Sequence, residues 1–444
     1  MRARARGADR QGGAGGAASR WPGRLRYTAA AALSTATAPP LAAGLVARYV
    51  SPDVLWWPQL AALALPALAL ASAPSAAWLW WTASQGRPPA GGALRLAGRS
   101  LASLQGALVL VACAQYAADR VPAGSDAPSP SGAVGEPERG DQGGAGPREL
   151  TVVSLNVGQG PTRPQPLADL LGALRPDVVA LQEATLRVVA VADAPGGAAL
   201  AAPPSVSALV SHPSYRLATP GVAGALPPEG TPVQNPVFVR ADRVGRAASP
   251  ASDGGSVSLG SGGSPGTYTR AVVEWDGRPV AVYSVHLRSF GRWRQAPRPP
   301  GLAGLARYGR RALGGLRRDL VSRAAEADRL RAVLDAEPLP YLVAGDLNST
   351  PAQWAYRRVA ERSGDALALR GGPYPRTFPA RSPLVRIDAV LAGPAFDVVA
   401  ASVGPAGLSD HRPVVATVRV RSAPRAAGGA VFSVPGSPTT GGAP

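Results

Sequence analysis

Eight polar residues lie at or just beyond the ends of short apolar runs in this sequence. They are Asn156, Glu183, His286, Asp346, Asn348, Asp388, Asp410 and His411. One aspartate after a strand usually caps a turn, but six runs ending in carboxylate, amide or imidazole groups predict one shared cluster. Carboxylate and amide oxygens are ligands that Mg²⁺ and Mn²⁺ prefer. Two imidazoles beside a carboxylate-bound metal suit proton transfer at a phosphate group.

The apolar runs that carry these residues are strand-like and alternate with helical patterns. The predicted strands are Leu150–Val157, Val178–Leu181, Val237–Val239, Ala271–Trp275, Val280–His286, Tyr341–Ala344, Arg386–Leu391 and Val414–Val420, with Val206–Val210 as a candidate short strand. The predicted helices are Leu167–Leu174, Arg317–Leu334 and Gln353–Glu361. Ala241–Gly266 is rich in Gly and Ser and predicts an inserted surface loop. The mixture predicts the α/β class, as a four-layer sandwich of two packed β-sheets flanked by helices.

Six motifs carry a resemblance to a known family. They are Ser-Leu-Asn at 154–156, Leu-Gln-Glu at 181–183, Val-His at 285–286, Gly-Asp-Leu-Asn at 345–348, Ile-Asp at 387–388 and Ser-Asp-His-Arg-Pro at 409–413. In this order they resemble the endonuclease/exonuclease/phosphatase superfamily, which includes DNase I-like nucleases, AP endonucleases, neutral sphingomyelinases and inositol-polyphosphate 5-phosphatases. The resemblance implies a hydrolase of phosphate esters that depends on Mg²⁺ or Mn²⁺.

The resemblance implies a metal site and a proton-transfer pair. Glu183 would be the main metal carboxylate with Asn156 beside it, and Asp410 would complete that site or a second one. His411 would act on the attacking water or on the phosphate, with Asp388 holding its ring in position. An Asp–His pair of this kind fixes the tautomer of the imidazole and raises its basicity.

The remaining positions would contact the water and the phosphate. By the same resemblance, Asp346 would orient or deprotonate the nucleophilic water, and Asn348 would donate to a phosphate oxygen. His286 would bind the phosphate or protonate the leaving oxygen. Arg270, in Tyr-Thr-Arg-Ala-Val-Val-Glu-Trp, resembles a phosphate-contacting arginine, although an ordinary exposed strand arginine fits equally well. No covalent intermediate is implied.

Two departures separate this chain from parts of the superfamily. AP endonucleases carry a Tyr where His286 lies and a Lys soon after Leu-Gln-Glu, and this sequence has neither. The chain therefore looks closer to the DNase I, sphingomyelinase and phosphatase side. DNase I-like members also supply a Glu partner for that His from the strand resembling Pro236–Arg240, where this sequence has no Glu. The acidic partner of His286 is consequently unassigned.

The composition excludes several other chemistries. All 46 basic residues are Arg, so there is no lysine for a P-loop, a Schiff base or a Ser–Lys dyad. The single cysteine, Cys113, permits neither an intrachain disulfide nor a Cys-based zinc site. A net charge of +18 suits polyanionic partners such as nucleic acid or anionic lipid, and equally suits solubility with positive-inside topology.

Three uncharged apolar stretches precede the predicted strands: Thr28–Ala47, Val54–Trp81 and Ser100–Ala118. Each is long enough to cross the hydrocarbon core of a bilayer, which takes about 20 helical residues. Tryptophans flank the second stretch, as they do at membrane interfaces. We therefore predict three transmembrane helices. The alternatives are a buried helical hairpin, or a cleaved signal peptide for the first stretch.

The placement of arginines predicts the orientation of these helices. The N-terminal tail is strongly basic, and the loop between the second and third stretches holds Arg87, Arg95 and Arg99. The positive-inside rule assigns both to the cytoplasm. Three crossings then leave everything after Ala118 outside. The prediction is a multi-pass cell-membrane protein with a cytoplasmic N-terminus and an extracytoplasmic catalytic domain.

The sequence predicts five regions along the chain. A basic cytoplasmic tail covers residues 1–26, and the transmembrane region covers 27–118. A flexible linker at 119–147, rich in Pro, Gly, Ser and acidic residues, leads to the endonuclease/exonuclease/phosphatase domain at 148–421. A disordered low-complexity tail covers 422–444.

Three functional hypotheses fit the sequence. They are an extracytoplasmic phosphodiesterase or nuclease, a lipid phosphodiesterase or phosphomonoesterase with the same chemistry, and a catalytically inactive tethered binding module. The expected partners are a phosphate-ester substrate (nucleic acid, phospholipid or inositol phosphate) and the membrane, with no protein partner. Arg288–Arg331 holds twelve Arg with interleaved Leu. It fits a phosphate-attracting surface, an amphipathic helix on anionic lipid, or a solvated helix face.

Overall fold

The computed structural model describes residues 23–84, 92–118, 148–158, 165–190, 198–218, 232–246, 256–261, 264–291, 300–373, 375–407 and 409–421. The predicted linker at 119–147 and the predicted tail at 422–444 lie outside these residues, as do positions 1–22 of the predicted basic tail. The boundaries and character of these regions therefore stay predictions.

Helices and strands alternate through the described part of the chain. The helices are α1 (Gly23–Val46), α2 (Pro58–Leu63), α3 (Leu65–Ser84), α4 (Gly92–Ala118), α5 (Gln165–Leu174), α6 (Pro204–Val210), α7 (Gly301–Asp335), α8 (Trp354–Ala360) and α9 (Ala366–Arg370). The strands are β1 (Glu149–Asn156), β2 (Val178–Gln182), β3 (Thr185–Ala190), β4 (Ala198–Ala201), β5 (Tyr215–Leu217), β6 (Pro232–Gln234), β7 (Val237–Arg240), β8 (Gly245–Arg246), β9 (Ser256–Ser258), β10 (Thr267–Trp275), β11 (Arg278–His286), β12 (Tyr341–Asp346), β13 (Gly364–Asp365), β14 (Asp388–Ala392), β15 (Phe396–Val403) and β16 (Val414–Val420).

The chain separates into two compact units. The first contains α1, α3 and α4 up to Gln115, and the second contains Ala47–Leu63 together with everything from Tyr116 onward. The first unit has a small buried apolar cluster made by Tyr27, Ala30, Leu79 and Ala102. Its helices therefore pack on one another through small and aromatic side chains.

Two of the described helices are long and apolar enough to cross a membrane, at Tyr27–Val46 and Leu96–Gln115. The prediction of three such stretches is wrong for the second one. Val54–Trp81 is divided between a turn, the short helix α2 and the helix α3, which carries Pro, Ser, Thr and three Trp. Hydroxyl and indole N–H groups reduce the mean hydropathy of α3. Two helices rather than three are therefore long and apolar enough to cross a membrane.

The second unit is built on two large mixed β-sheets. The first has the strand order β15-β16-β1-β2-β7-β5, and the second has β13-β14-β12-β11-β10-β8 with β9 paired to β10. Within these sheets β1–β2 and β11–β12 are parallel, whereas β1–β16, β10–β11 and β12–β14 are antiparallel. A small sheet of β4-β3-β6 follows β2 in the chain.

The two large sheets pack face to face, and helices cover their outer faces. Strands that are buried on both faces form continuous apolar runs, and every residue of β2 is buried. Val152 of β1, Val282 of β11 and Leu342 of β12 belong to one buried apolar cluster that includes residues of both sheets. Helices α5 and α6 pack outside the first sheet, and α7 and α8 pack outside the second. The predicted α/β architecture of two packed sheets with flanking helices is therefore confirmed.

The differences from the predicted elements have local causes. The candidate strand at Val206–Val210 is wrong, because this segment is helix α6, which has Pro204 in its first turn, where a missing N–H is tolerated. The helix predicted at Arg317–Leu334 is longer, since α7 begins at Gly301. The loop predicted at Ala241–Gly266 contains the short strands β8 and β9.

Candidate active site

The strand ends of both large sheets meet at one edge of the sandwich. Asn156 ends β1, and Glu183 directly follows the parallel strand β2. In the other sheet, His286 ends β11 and pairs with Asp346 at the end of the parallel strand β12. Strand β14 runs the opposite way and begins there, with Asp388 opposite Asp346. The topology therefore brings these five predicted residues to one place.

Asn156 joins the two sheets at this edge. It is buried, and its Nδ2 donates to Glu183 Oε1 at 3.1 Å and to Asp346 Oδ2 at 3.0 Å. Its Oδ1 accepts from the backbone N–H of Gly158 at 2.8 Å. A Cβ at Gly158, where φ is +51°, would lie 2.7 Å from Asp410 Oδ1. Glycine is therefore needed there for conformation and for space, and Asp410 lies on the same side of the cluster.

Two residues of the cluster have left-handed backbone conformations. The φ angle is +58° at Glu183 and +47° at Asn348, a region that is unfavourable for non-glycine residues and is concentrated at functional sites. Asn348 donates from its backbone N–H to Asp346 Oδ1 at 2.7 Å and from Nδ2 to the Leu287 carbonyl at 2.9 Å. These bonds hold the turn that presents Asn348 beside Asp346.

His411 and Asp388 form a buried pair in the cluster. Nδ1 of the ring lies 3.1 and 3.0 Å from the two Asp388 oxygens, and Nε2 lies 3.9 Å from Asp346 Oδ2. Burial acts to lower the pKa of His411, but the hydrogen bond and charge of Asp388, with the charges of Asp346 and Asp410, raise it to about 9. Burial and the charge of Asp346 raise the pKa of Asp388 as well. We assign the proton of this pair to the ring, because carboxylates face both of its nitrogens.

Neighbouring groups fix the loop that carries His411. The Ser409 hydroxyl accepts from the backbone N–H of His411 at 2.8 Å and donates to the Asn156 carbonyl at 2.6 Å. The ring of Phe378 lies 4.7 Å from the imidazole, measured between centroids. The loop before β16 is thus tied to the end of β1.

His286 presents Nε2 to the gap between two carboxylates. This nitrogen lies 3.6 Å from Glu183 Oε1 and 3.8 Å from Asp346 Oδ2, beyond ordinary hydrogen-bond distance of both. It is buried and has no hydrogen-bond partner among the described residues. A buried nitrogen of this kind calls for a further group in the gap. The dedicated acidic partner that the sequence left unassigned is not seen among these residues.

Two separate sets of residues could hold a divalent cation. Asp346, Asp388 and His411 offer ligand atoms that all lie within 4.8 Å of one another, which makes them a possible metal site. However, Nδ1 of His411 is already bonded to Asp388, and this contact suits an oriented acid–base pair better than two metal ligands.

Of the set predicted from the sequence, Glu183 and Asn156 border the gap that His286 faces, and Asp410 lies next to Gly158. The oxygen donors of this set fit Mg²⁺ or Mn²⁺, and the unpartnered Nε2 of His286 faces Glu183 across the gap. In this structure Nδ2 of Asn156, and not Oδ1, is directed at Glu183. The role of Asn156 as a metal ligand therefore stays a prediction.

Arg270 is engaged elsewhere. It lies on β10 opposite Tyr283, and its guanidinium donates to both Glu337 oxygens, at 2.7 and 3.1 Å. The Tyr283 hydroxyl donates to the same carboxylate. The phosphate contact predicted for Arg270 stays a prediction, and in this structure the guanidinium is paired with Glu337.

A buried polar network that was not predicted lies just below the cluster. Gln182 donates to the Ser284 hydroxyl of the other sheet at 3.1 Å and accepts from Ser154 at 3.3 Å. Ser284 in turn donates to the Leu181 carbonyl at 3.0 Å. The only signal in the sequence is the presence of polar residues inside apolar strand runs. The network links the strands that carry the two halves of the cluster.

Charged residues of α7 hold the segment that follows β11. Glu326 accepts from the backbone N–H of Arg288 at 2.9 Å, and Asp319 accepts from that of Gly291 at 2.7 Å. Arg323 donates from Nε to the Arg288 carbonyl at 2.6 Å. Burial lowers the pKa of Arg323 to about 10, partly offset by nearby carboxylates. The Arg-rich pattern predicted a basic helix here but gave no sign of this positioning role.

One known protein family matches more than half of this chain. The sequence matches the model of the Endonuclease/Exonuclease/phosphatase family over residues 153–411. A search of curated proteins gave no match. Among solved structures, the chain is similar to an endonuclease/exonuclease/phosphatase family protein from Bacteroides thetaiotaomicron, with 16% identity, a TM-score of 0.41, and coverage of 62% of this chain and 96% of that one.

Two further solved structures are similar at low identity. The endonuclease/exonuclease/phosphatase from Beutenbergia cavernae is 24% identical with a TM-score of 0.38, covering 63% of this chain and 73% of that one. The human Nocturnin catalytic domain is 16% identical with a TM-score of 0.39, covering 62% and 95%. The chain belongs to the endonuclease/exonuclease/phosphatase family, an assignment that rests on the family model. It is a phosphoester hydrolase of that family with a buried Asp346, Asp388 and His411 cluster.

Proposed function

We propose that this protein is a membrane-anchored, extracytoplasmic phosphodiesterase that uses Mg²⁺ or Mn²⁺ and takes nucleic acid as its substrate. One observation carries the chemistry. Asn156 bonds to Glu183 of one sheet and Asp346 of the other, while His411 faces Asp346 with Asp388 behind it. Oxygen donors and a charged imidazole therefore surround one small gap.

The carboxylates around the gap would hold the cation. Glu183 is the main ligand in this proposal, with Asn156 and Asp410 beside it. When bound, the metal neutralises phosphate charge and lowers the pKa of a bound water. Asp346 orients the attacking water, since its oxygens also contact Asn156 and Asn348 and so have a fixed direction.

The remaining groups would act on the phosphate. His411, held through Nδ1 by Asp388, presents Nε2 to a phosphate oxygen or to the water. His286 presents its unpartnered Nε2 to the leaving oxygen, and Asn348 donates to a phosphate oxygen. Donors that are fixed before the reaction stabilise developing charge effectively, because they need not reorganise. A net charge of +18 favours a polyanionic substrate.

The test uses the purified full chain with DNA, RNA, sphingomyelin, inositol phosphates and a generic phosphodiester. We expect hydrolysis of nucleic acid that EDTA abolishes and Mg²⁺ restores. Glu183→Ala should remove it, while Glu274→Ala, an exposed position on β10, serves as the matched control. Activity that survives both EDTA and Glu183→Ala contradicts the metal mechanism. Mg²⁺ binding without hydrolysis of any substrate supports the inactive binding module instead.

The extracytoplasmic location has its own test. A reporter that is active only outside the cytoplasm, fused directly after Ala118, should be active. More arginines precede α1, in the N-terminal tail, than lie between α1 and α2. The positive-inside rule therefore assigns the tail to the cytoplasm. A reporter signal from the cytoplasm contradicts this orientation and leaves the chemistry untouched.

An exposed stripe on α7 favours a phospholipid as the second candidate substrate. Leu302, Leu305 and Leu313 are 87%, 57% and 52% exposed, and Gly301–Arg318 carries five arginines and no acidic residue. Apolar side chains flanked by arginines are typical of helices that lie on anionic lipid. Leu305→Glu should then lower hydrolysis of anionic vesicle lipids but leave a soluble phosphodiester unaffected. Equal rates on vesicles for both forms contradict this candidate.

A further inference from the structure

The segment between the first two long helices belongs to the catalytic unit. Ala47–Leu63 connects α1 to α3 in sequence, yet it groups with everything from Tyr116 onward. Its contacts are made with the loop that follows Asn348. A connection that served only to join two helices would not need such contacts.

Gln59 is the centre of these contacts. It is 1% exposed, and its Nε2 donates to the carbonyls of Ala47 and Val50 at 2.7 and 3.0 Å, which closes the segment on itself. Its Oε1 accepts from the backbone N–H of Trp354 at 3.1 Å, and its backbone carbonyl accepts from Gln353 Nε2 at 3.0 Å. Buried amides are paired in this way because an unpaired one is costly.

Two further bonds extend the contact toward the active site. Arg48, which is 6% exposed, donates from Nη2 to the Pro351 carbonyl at 3.1 Å. Gln353 accepts from the Thr350 N–H at 2.8 Å, and Thr350 lies two residues after Asn348. We refer to this set of hydrogen bonds as the clamp. The clamp holds the loop that leaves the active site.

The clamp restricts how the chain can cross a membrane. Two segments joined by buried hydrogen bonds must lie on the same side of a bilayer, because irregular backbone does not extend through lipid. The number of crossings between Leu63 and Arg148 must therefore be even. If α1 and α4 were the only two spans, the segment and the catalytic domain would lie on opposite sides. Since α3 is not a candidate span, the even number is zero, and α1 is then the single crossing.

We propose that Ala47–Leu63 and the catalytic domain lie on the same side of the membrane, fastened by the clamp, and that this side is opposite the N-terminal tail. The second part rests on the membrane anchoring proposed above, through α1. Neither part depends on whether the domain hydrolyses a substrate. With the basic tail in the cytoplasm, the clamp assigns the active site to the outside.

Labelling of single cysteines tests the shared side. In the full chain with Cys113→Ala, Val54→Cys probes the segment at a position that is 76% exposed, and Arg278→Cys probes the domain at the exposed first residue of β11. Ala8→Cys probes the basic tail. In sealed vesicles of known orientation, an impermeant maleimide should label the first two from one side and the third from the other.

Two labelling results would overturn the proposal. Labelling of Val54→Cys and Arg278→Cys from opposite sides would show that the clamp does not form in the membrane-bound protein. Labelling of all three positions from one side excludes the crossing by α1 and with it the placement opposite the tail. Hydrolysis is not measured in either experiment, so a failure of the proposed catalytic function gives a separate result.

Cross-linking tests the clamp itself. Arg48→Cys with Pro351→Cys, in the same background, should be joined by a short bifunctional thiol reagent and identified by peptide mapping. Arg48→Cys with Arg278→Cys is the control, since Arg278 lies at the end of β11 away from His286. Equal yields for both pairs, or no yield for the first, contradict the clamp.

A matched pair of glutamine variants shows whether Gln59 is its centre. Gln59→Ala should lower the yield of the first cross-link several-fold. Gln105→Ala should leave the yield unchanged, because Gln105 is also a buried glutamine but bonds to Thr37 within the first unit. An equal loss in both variants would indicate general destabilisation and would overturn the assignment to Gln59.

Discussion

The carboxylate of Asp388 contacts Nδ1 of His411 through both of its oxygens, at 3.1 and 3.0 Å, inside the catalytic unit. This contact leaves Nε2 as the ring nitrogen that faces Asp346. The imidazole therefore has one end that is held and one end that can exchange a proton. Removing the holding carboxylate should affect the reaction more than it affects binding.

Asp388→Asn is expected to lower kcat by about 10²–10⁴-fold, the range for disabling positioned acid–base groups. KM should change little, because Asp388 does not face the gap that takes the phosphate. The control is Asp397→Asn, which removes an exposed carboxylate paired with Arg421. Steady-state kinetics on the preferred substrate gives the result, and an unchanged kcat in Asp388→Asn would contradict the assigned pair.

The raised pKa of His411 predicts a specific pH dependence of stability. In the metal-free protein the ring should titrate near a pKa of about 9, against about 6.5 in the unfolded chain. The folded state binds this proton more tightly, so its contribution is complete below about pH 6.5 and is lost as pH rises through about 9. With EDTA present, the stability difference between the native protein and Asp388→Asn should shrink across that window.

Ring-selective NMR provides the direct measurement of that prediction. The chain has three histidines, His212, His286 and His411, so single substitutions are enough to assign the signals. The titration midpoint of His411 should move to lower pH in Asp388→Asn. Burial lowers the pKa of the ring, and the substitution removes the carboxylate that mainly opposes this effect. A midpoint that is unchanged by this substitution would show that another group holds the proton.

The left-handed backbone at Asn348 predicts that two truncations will differ in stability. Asn348→Gly and Asn348→Ala remove the same amide, but the φ angle of +47° is strained for Ala and easy for Gly. The Gly variant should be more stable by about 1 kcal/mol, while both lose kcat to a similar extent. Thermal unfolding of the two variants decides the point, and equal stability would show that the loop relaxes after truncation.

Much of the catalytic edge could be predicted because its residues end apolar strands. Asn156, Glu183, His286 and Asp346 lie at the carboxyl ends of strands, and parallel neighbouring strands bring such ends to the same edge of a sheet. The pairing of His411 with Asp388 was implied by the family resemblance, because the two residues lie in separate motifs. Polar residues with no structural reason to follow an apolar run are visible without knowledge of the partner strands.

The rest of the site depends on contacts between distant positions. Gln182 bonds to Ser284 across 102 residues, and Gln353 bonds to Gln59 across 294. The sequence around either residue does not indicate which distant residue it bonds to. The error at Val54–Trp81 has a second cause besides the low hydropathy of α3, because an apolar count does not register that Gln59 is bonded to Gln353 and Trp354. Hydrophobic runs predict burial but not the surface that buries them.

The buried guanidinium of Arg323 should be needed to hold the segment after β11. Arg323→Met removes the bond to the Arg288 carbonyl and the stacking on Phe290, 4.7 Å from its ring. We expect a loss of about 1–3 kcal/mol, the cost of a buried acceptor without a partner, and a lower kcat/KM. Arg317→Met, on the exposed face of the same helix, is the control. Thermal unfolding and kinetics should separate the two, and equal behaviour would remove Arg323 from the positioning network.

The network of Gln182, Ser154 and Ser284 predicts that stability and activity can be separated. Gln182→Met should destabilise the protein by about 1–3 kcal/mol, because two buried hydroxyls lose a partner. Adding Ser154→Ala and Ser284→Ala removes those hydroxyls and should recover part of the stability, since an absent hydroxyl costs less than an unpaired one; the Leu181 carbonyl still loses its donor.

Activity should not return in that triple variant. The network connects the strand of Glu183 to the strand of His286, so its loss frees the two halves of the cluster to shift. Misplacement of reacting groups by about 1 Å can cost about 10²-fold in rate. Chemical unfolding and kcat measured on the single and triple variants give the comparison. A triple variant with native kcat would show that sheet packing alone sets the catalytic geometry.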